Sequence, residues 1–405
     1  MRAGRLVTLG LLIICAVAAQ APAVARTYVP PGHHIYAGLT GGDSITAYQK
    51  MVGKHPAVFE TFMTWNTPTA WLRGRDRGFR SRLALHIGTS TGYGKPGVIT
   101  PQQIANGRSD AFLVDLGRNL AHSQRVVYIR LMAEMNGHWN AYAAYNANGS
   151  FRGITHSPHS YIQAWRRSVL LLRGGPVARI NRRLHRLGLP RLKVKTTRGE
   201  VLARPKVTFL WVPQDAGSPE IAANAPAAFW PGAAYVDWVG TDFYASYPNF
   251  TLLDQFYNEF GHKPFVLSEW GLYGSDDPQF VRALFAWVHT HPRLRMLNYY
   301  QGFDDPRIPA LSKSNLAHYP RSRRALRSEL RSRQFLAYPP EYSHPYKPPA
   351  HSHPGPPHNP QPAPGPTPPV PQAPSPPPSS PTPPTSPTCV LQICLPVLGP
   401  LGALP

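Results

Sequence analysis

The sequence predicts an α/β chain folded as a (β/α)8 TIM barrel, and three observations carry that expectation. Eight short apolar, β-branched or aromatic runs recur between Arg26 and about Ala337, longer amphipathic stretches separate them, and no Gly-rich phosphate turn follows the first run. The runs fall near 35–38 (IYAG), 57–65 (AVFETFMTW), 83–87 (LALHI), 126–132 (VVYIRLM), 207–212 (VTFLWV), 235–244 (YVDWVGTDFY), 264–268 (PFVLS) and 296–300 (MLNYY).

Each is strand-sized. After the first run, Gly38, Gly41 and Gly42 lack dinucleotide-binding spacing and read as a strand-to-helix loop. Between the third and fourth runs, Pro101 to His122 sets Gln103, Ala111, Leu113, Leu116 and Leu120 at roughly helical spacing, and Ser160 to Leu172 follows suit after the fourth. Eight βα units in about 310 residues suit a closed barrel better than an open doubly wound sheet.

The chain around the barrel divides by composition. With 42% apolar and 11% aromatic residues in 405, a wholly disordered protein is excluded. Residues 1–25 have the order of a secretory signal peptide: Arg2 and Arg5, an apolar run from Leu6 to Ala19, then Ala23-Val24-Ala25. That apolar run falls short of the roughly 20 residues needed to cross a bilayer. Residues 26–338 are the barrel domain, with a basic insert at 173–206. Residues 339–405 hold 26 of the 48 prolines and read as a disordered, semi-rigid tail.

Cys389 and Cys394 stand in that tail, and a short disulfide, an intermolecular pair or free thiols all remain open for them. His344, His351, His353 and His358 are isolated in a solvated linker and lack a preformed metal geometry. No metal or cofactor is expected.

Barrel enzymes build their sites at the carboxyl ends of the strands. The polar residues there are Glu134 after the fourth run, Asp215 after the fifth, Asp242 and Tyr244 in the sixth, Glu269 after the seventh, and Asp304 and Asp305 after the eighth. Strands four and seven face each other across a barrel mouth. Glu134 and Glu269 are therefore the candidate catalytic pair, because retaining glycoside hydrolysis needs a carboxylic acid and a carboxylate about 5–5.5 Å apart. Trp65, Trp139, Tyr244, Trp270 and Tyr300 are candidate faces for sugar rings.

Arg130-Leu-Met-Ala-Glu134-Met-Asn136-Gly137-His-Trp139 and Ser268-Glu269-Trp270-Gly271 together resemble glycoside hydrolase family 26 over roughly residues 35 to 310. The resemblance implies a retaining, endo-β-1,4-mannanase-like barrel, with Glu134 as acid/base, Glu269 as nucleophile and Tyr244 in contact with the nucleophile. Arg130 is placed either to hold Glu269 ionised and aligned by a charge-assisted hydrogen bond or to serve as a core ion-pair partner, and Asn136 either to orient the acid or a sugar hydroxyl or to cap its loop. Tyr161 to Arg166 resembles the family's helix after strand four. Two positions depart from the family's pattern: Ala133 replaces the His that precedes the acid/base, and Tyr300 or Gln301 stands where strand eight usually offers a Trp. Losing one oriented hydrogen bond at a developing charge costs orders of magnitude in rate. The alternative function is therefore a non-catalytic or weakly active glycan-binding barrel attached to the cell envelope.

The formal charge is +22, and two segments carry most of it: net +10 at 173–206 and +5 at 321–333. Clustered cations predict attachment to anionic envelope polymers or lipid headgroups, against the plainer reading of a solvated helical insert. Nucleic acid is not an expected partner, because these segments lack interleaved aromatics. The expectation is a secreted, envelope-associated monomer that acts on a polysaccharide.

Overall fold

Eight parallel strands close on themselves in a computed structural model: β1 (Ile35–Gly41), β2 (Val58–Met63), β3 (Arg82–Ile87), β4 (Val126–Leu131), β5 (Lys206–Trp211), β6 (Trp238–Tyr244), β7 (Phe265–Gly271) and β8 (Leu294–Gln301). β8 pairs back onto β1 from Tyr36 opposite Met296 to Gly41 opposite Gln301, so the sheet is a barrel. The structure describes residues 27–42, 44–73, 79–91, 95–306 and 308–343. The signal-like segment, the tail histidines, Cys389 and Cys394 lie outside the described residues.

The lumen is filled. Tyr36, Val58, Ala84, Tyr128, Leu210, Trp238, Val266 and Met296, one from each strand, form a single buried cluster. At Gly38 any side chain would overlap Asn298, since a Cβ there would lie 1.8 Å from its Oδ1. A second, larger cluster joins the outward faces of the strands to the helices.

Those helices are α1 (Ile45–Val52), α2 (Pro101–Ala105), α3 (Asp110–Ser123), α4 (Pro158–Arg173), α5 (Val177–Arg186), α6 (Phe250–Glu259), α7 (Pro278–Thr290) and α8 (Pro320–Glu329). Local sequence sets several of their starts. Ser44 caps α1, Ser157 with Pro158 opens α4, and Asp277 with Pro278 opens α7.

The regular eightfold expectation needs two corrections. The stretch from Pro101 to His122 is two helices, because the chain turns at Gly107 with φ +84° and the Arg167 guanidinium fills the space a side chain would need. Beyond β2 and β5 the described connections to the next strand are 3₁₀ turns, not α-helices. After β5 the cause is plain. Pro213, Gly217, Pro219, Pro226, Pro231 and Gly232 leave no uninterrupted length for a helix.

At the opposite end from the strands' carboxyl termini, the two ends of the described chain are fastened to the barrel. Arg82 forks onto Glu341 at 2.8 and 2.9 Å, and its Nη1 also donates to the Tyr28 carbonyl. The described chain thus packs onto the barrel through Ser343, beyond residue 338. No helix among the described residues is long and apolar enough to cross a membrane.

Candidate active site

β4 ends by breaking the strand conformation. Met132 and Glu134 take left-handed φ values of 43° and 51°, which side chains other than glycine adopt at a cost of about 1–3 kcal/mol each. The backbone is held there: Glu134 N donates to the Val212 carbonyl at 2.7 Å, and Tyr142 and Asn140 donate to the Ala133 carbonyl. The turn aims the Glu134 carboxyl into the mouth.

Two donors fix that carboxyl. Trp139 Nε1 reaches Oε2 at 2.8 Å, and Gln214 Nε2 bonds Oε1. Trp139 can fold back so closely because residue 137 is glycine, where a Cβ would meet the indole at 2.4 Å. Asn136 acts one step away. Its side chain donates to the carbonyls of Gln214 and Ala216 and accepts from Gln214 N at 2.9 Å, pinning the loop after β5 that presents Gln214.

Glu269, at the end of β7, faces the same cluster. Its Oε1 accepts from Arg130 Nη1, its Oε2 from the Tyr244 hydroxyl at 2.6 Å, and its backbone N donates to Asp242 Oδ1 at 2.9 Å. Arg130 also bonds Asp242 and, at 2.9 Å, Glu60; Asp242 in turn shares a hydrogen bond with Glu134. Ser268 Oγ donates to the second oxygen of Glu60. Four buried carboxyls thus surround one buried guanidinium.

That arithmetic leaves excess negative charge, which burial resists. Burial first and Glu269's charge next push the Glu134 carboxyl up, against the pull of Arg130. Burial pushes Asp242 well above its ordinary range, and Glu60 up to about 7, with Arg130 again opposing. Burial disfavours the charge on Arg130, but Asp242, Glu269 and Glu60 outweigh it and keep the guanidinium protonated. His86 is pushed well down by burial and by Arg130, so its neutral ring can accept at Nδ1 from Arg130 at 3.2 Å.

Glu60, His86 and Glu269 each bring a donor atom within 4.8 Å of the others, close enough for a metal ion. Arg130 Nη1 contacts all three, so a fixed cation already stands in that position.

The aromatics divide by strand face. Tyr244 and Tyr300 pack edge to face at 6.2 Å, with Phe62 and Tyr273 beside them, and border the site. Trp139 is half-buried over Glu134. Trp270, expected at the sugar, points the other way: it is 1% exposed and packs on Phe280, Phe285 and Tyr299 in the helix layer, as the residue after an inward Glu269 should. Trp65 is likewise core, against Phe112.

Gln301 bonds Gly302, Asn315 and Leu316 and faces away, so Tyr300 is the strand-eight residue at the mouth. Asp304 pairs with His318 at the surface, and Asp215 is held up at about 6 by burial without touching either glutamate.

Sequence reasoning missed Gln214, Glu60, His86 and Ser268. Gln214 lies two residues beyond the fifth run, and an amide carries neither the charge nor the aromatic ring that marks the other residues there. Glu60 and His86 are polar residues inside apolar runs, a signal that does point to a buried partner.

No family model and no curated protein matches this sequence. Among solved structures the chain is similar to GH26A from Muricauda sp., at 16% identity and TM-score 0.48 over 75% of this chain and 91% of that one. It is similar to Bacillus subtilis mannanase man26 at 16% identity and TM-score 0.48, over 78% and 90% of the two chains. The Cellulomonas fimi endo-β-1,4-mannanase gives 15% identity and TM-score 0.47, over 75% and 72%. These are likenesses of chain trace; the chemistry rests on the side chains above.

Proposed function

We propose that the protein is an exported, retaining endo-hydrolase of a β-linked polysaccharide, with β-mannan as its substrate. The observation that carries this reading is the joining of Glu134 and Glu269 through one buried network at the carboxyl ends of β4 and β7, with Glu269 held by Arg130 and Tyr244 and the Glu134 carboxyl pushed up by burial. Glu269 accepts from the Arg130 guanidinium and the Tyr244 hydroxyl, which fix both oxygens of its carboxylate. Glu134 is buried beside that charge and favours its proton.

In the first step Glu269 attacks the anomeric carbon while Glu134 gives its proton to the departing glycosidic oxygen. A glycosyl ester on Glu269 results. Glu134, now a carboxylate, removes a proton from water as that water attacks the same carbon, releasing Glu269 and restoring the acid. Tyr244 and Tyr300 supply flat faces beside the reacting sugar, and Arg130 keeps the nucleophile aligned. Two donors, Trp139 and Gln214, orient the acid.

A binding barrel without turnover is the second reading, favoured by Ala133 in place of an imidazole next to Glu134. Reducing-end release from mannan, mixed-linkage glucan and xylan separates the two. The wild type should cleave at least mannan, with anomeric retention by nuclear magnetic resonance. Glu269→Gln and Glu134→Gln should each lose at least about 10³-fold in kcat. Saturable binding of these glycans with no cleavage by any of the three proteins would establish the binder instead.

A further inference from the structure

Residues 173–206 join the end of α4 to the start of β5. A helix-to-strand connection of a parallel barrel lies at the face opposite the catalytic mouth. The net +10 of this stretch is therefore remote from Glu134 and Glu269.

The insert is built, not loose. α5 buries Val177, Ile180 and Leu184 against the barrel. Gly175–Pro176 pairs antiparallel with Val201–Leu202, and Val177 N donates to the Glu200 carbonyl at 2.9 Å. The segment 190–193 is tied down by a fully buried ion pair. Arg167 Nε meets Asp110 Oδ1 at 2.7 Å, Arg167 Nη1 donates to the Pro190 carbonyl at 2.7 Å, and Asp110 Oδ2 accepts from Lys193 N at 2.7 Å. Asn181 on α5 accepts from Leu192 N at 2.8 Å, closing the frame.

What this frame encloses is a cleft of about 730 Å³ with Arg182, Arg186, Arg191 and Arg198 on its walls, all four exposed. Its one carboxylate, Glu200, already accepts from Thr197 N at 2.7 Å. Forked guanidiniums converging in a cleft match carboxylate or phosphate oxygens in pairs. The walls are concave where a bilayer is flat, and no Phe, Tyr or Trp lines them for bases to stack on. Asn181 and Thr197 add the small polar groups that sugar hydroxyls use.

We propose that this cleft is a docking site for an anionic polysaccharide, which holds the barrel on the polymer while the mouth stays open on the far side. The site is independent of the chemistry at Glu134 and Glu269.

The test is binding of polygalacturonate to the full chain, measured by isothermal titration calorimetry at low and high salt. Two fourfold variants lose the same net charge: Arg182→Ala, Arg186→Ala, Arg191→Ala, Arg198→Ala in the cleft, and Arg324→Ala, Arg327→Ala, Arg331→Ala, Arg333→Ala on and after α8. Saturable, salt-weakened binding should fall at least about tenfold in the cleft variant and less than about threefold in the other. Activity on mannan should be unchanged in both.

Equal losses in the two variants would mean that the overall field, not a site, attracts the polymer, and would overturn the proposal. So would the absence of saturable binding, or equal affinity for phosphatidylglycerol vesicles or a single-stranded oligonucleotide. If the fourfold cleft variant melts early, the single exchange Arg191→Glu on the exposed wall reads the same outcome.

Discussion

Arg130→Met should make the protein's stability depend steeply on pH. Among the described residues, Arg130 is the cation that pairs with Glu60, Asp242 and Glu269, and all four side chains are at most 1% exposed. Methionine matches the stem of arginine but supplies no charge. Removing one partner of a buried ion pair costs about 3–5 kcal/mol, because the remaining charge is left without compensation.

The carboxyls then have one escape, which is to take up protons. Burial already pushes Glu60, Asp242 and Glu134 up while Arg130 pulls them down, so deleting Arg130 raises all three further. A carboxyl whose folded pKa exceeds its unfolded value loses stability as pH rises between the two. The penalty of Arg130→Met should therefore be small near pH 4.5 and full by pH 8.

With an unfolding entropy of about 2.1 cal/mol/K per residue over roughly 300 residues, a loss of about 4 kcal/mol lowers Tm by about 6 °C at pH 8. Differential scanning calorimetry of wild type and variant at pH 4.5, 6 and 8 measures it. An equal drop in Tm at all three values would refute the reasoning, since it would mean that lost packing and not stranded charge set the cost.

Three further outcomes follow from the same geometry. Gln214→Ala and Trp139→Phe each remove one donor to the Glu134 carboxylate; a donor favours the ionised form, so each variant should shift the alkaline limb of the kcat/KM profile to higher pH and lower its maximum about tenfold. Glu60, pushed up to about 7 by burial, keeps a proton that the unfolded chain releases near 4.5. Stability is thus lost as pH rises through that window, and Glu60→Gln should abolish about 3 kcal/mol of the fall, read by urea unfolding at pH 4.5 and 8; an unchanged fall would refute the assignment. Carboxylated β-glycans should be poorer substrates than neutral ones of the same linkage by at least about tenfold in kcat/KM, because the Arg130 guanidinium is already shared among Glu60, Asp242 and Glu269 and leaves an incoming carboxylate facing carboxyl oxygens; equal rates on matched neutral and oxidised mannan would contradict this.

The sequence made the barrel legible because strand-sized apolar runs repeat and a buried parallel strand needs little else. It was less informative about the helix layer. Nothing in the spacing of Leu113, Leu116 and Leu120 shows that Gly107 splits their helix, since the cause is Arg167 arriving from α4. At the site, strand ends and motif point to Glu134, Glu269, Arg130 and Tyr244, and the structure brings these four side chains into one network. Asn136 was found with its role open, and the structure makes it a clamp on the Gln214 loop. Trp270 was misread because proximity in sequence to Glu269 suggests proximity in space, whereas alternation along a strand sends neighbours to opposite faces.

The charge of the chain takes on a different meaning once the residues are in place. Of only 20 acidic residues, Glu60, Glu134, Asp242 and Glu269 are gathered in one buried network in a protein of net charge +22. In the proposed reaction the transition state gains positive charge at the anomeric carbon, and the attacking Glu269 carboxylate is the group that meets it. The arginines of the helix-to-strand insert present the opposite sign on the opposite face. Under the proposed function and docking site, an anionic polymer finds paired guanidiniums at the insert and a single, already shared guanidinium at the mouth, while a neutral glycan needs neither. On that reading, sign of charge rather than overall affinity separates the polymer held at one end of the barrel from the one cut at the other.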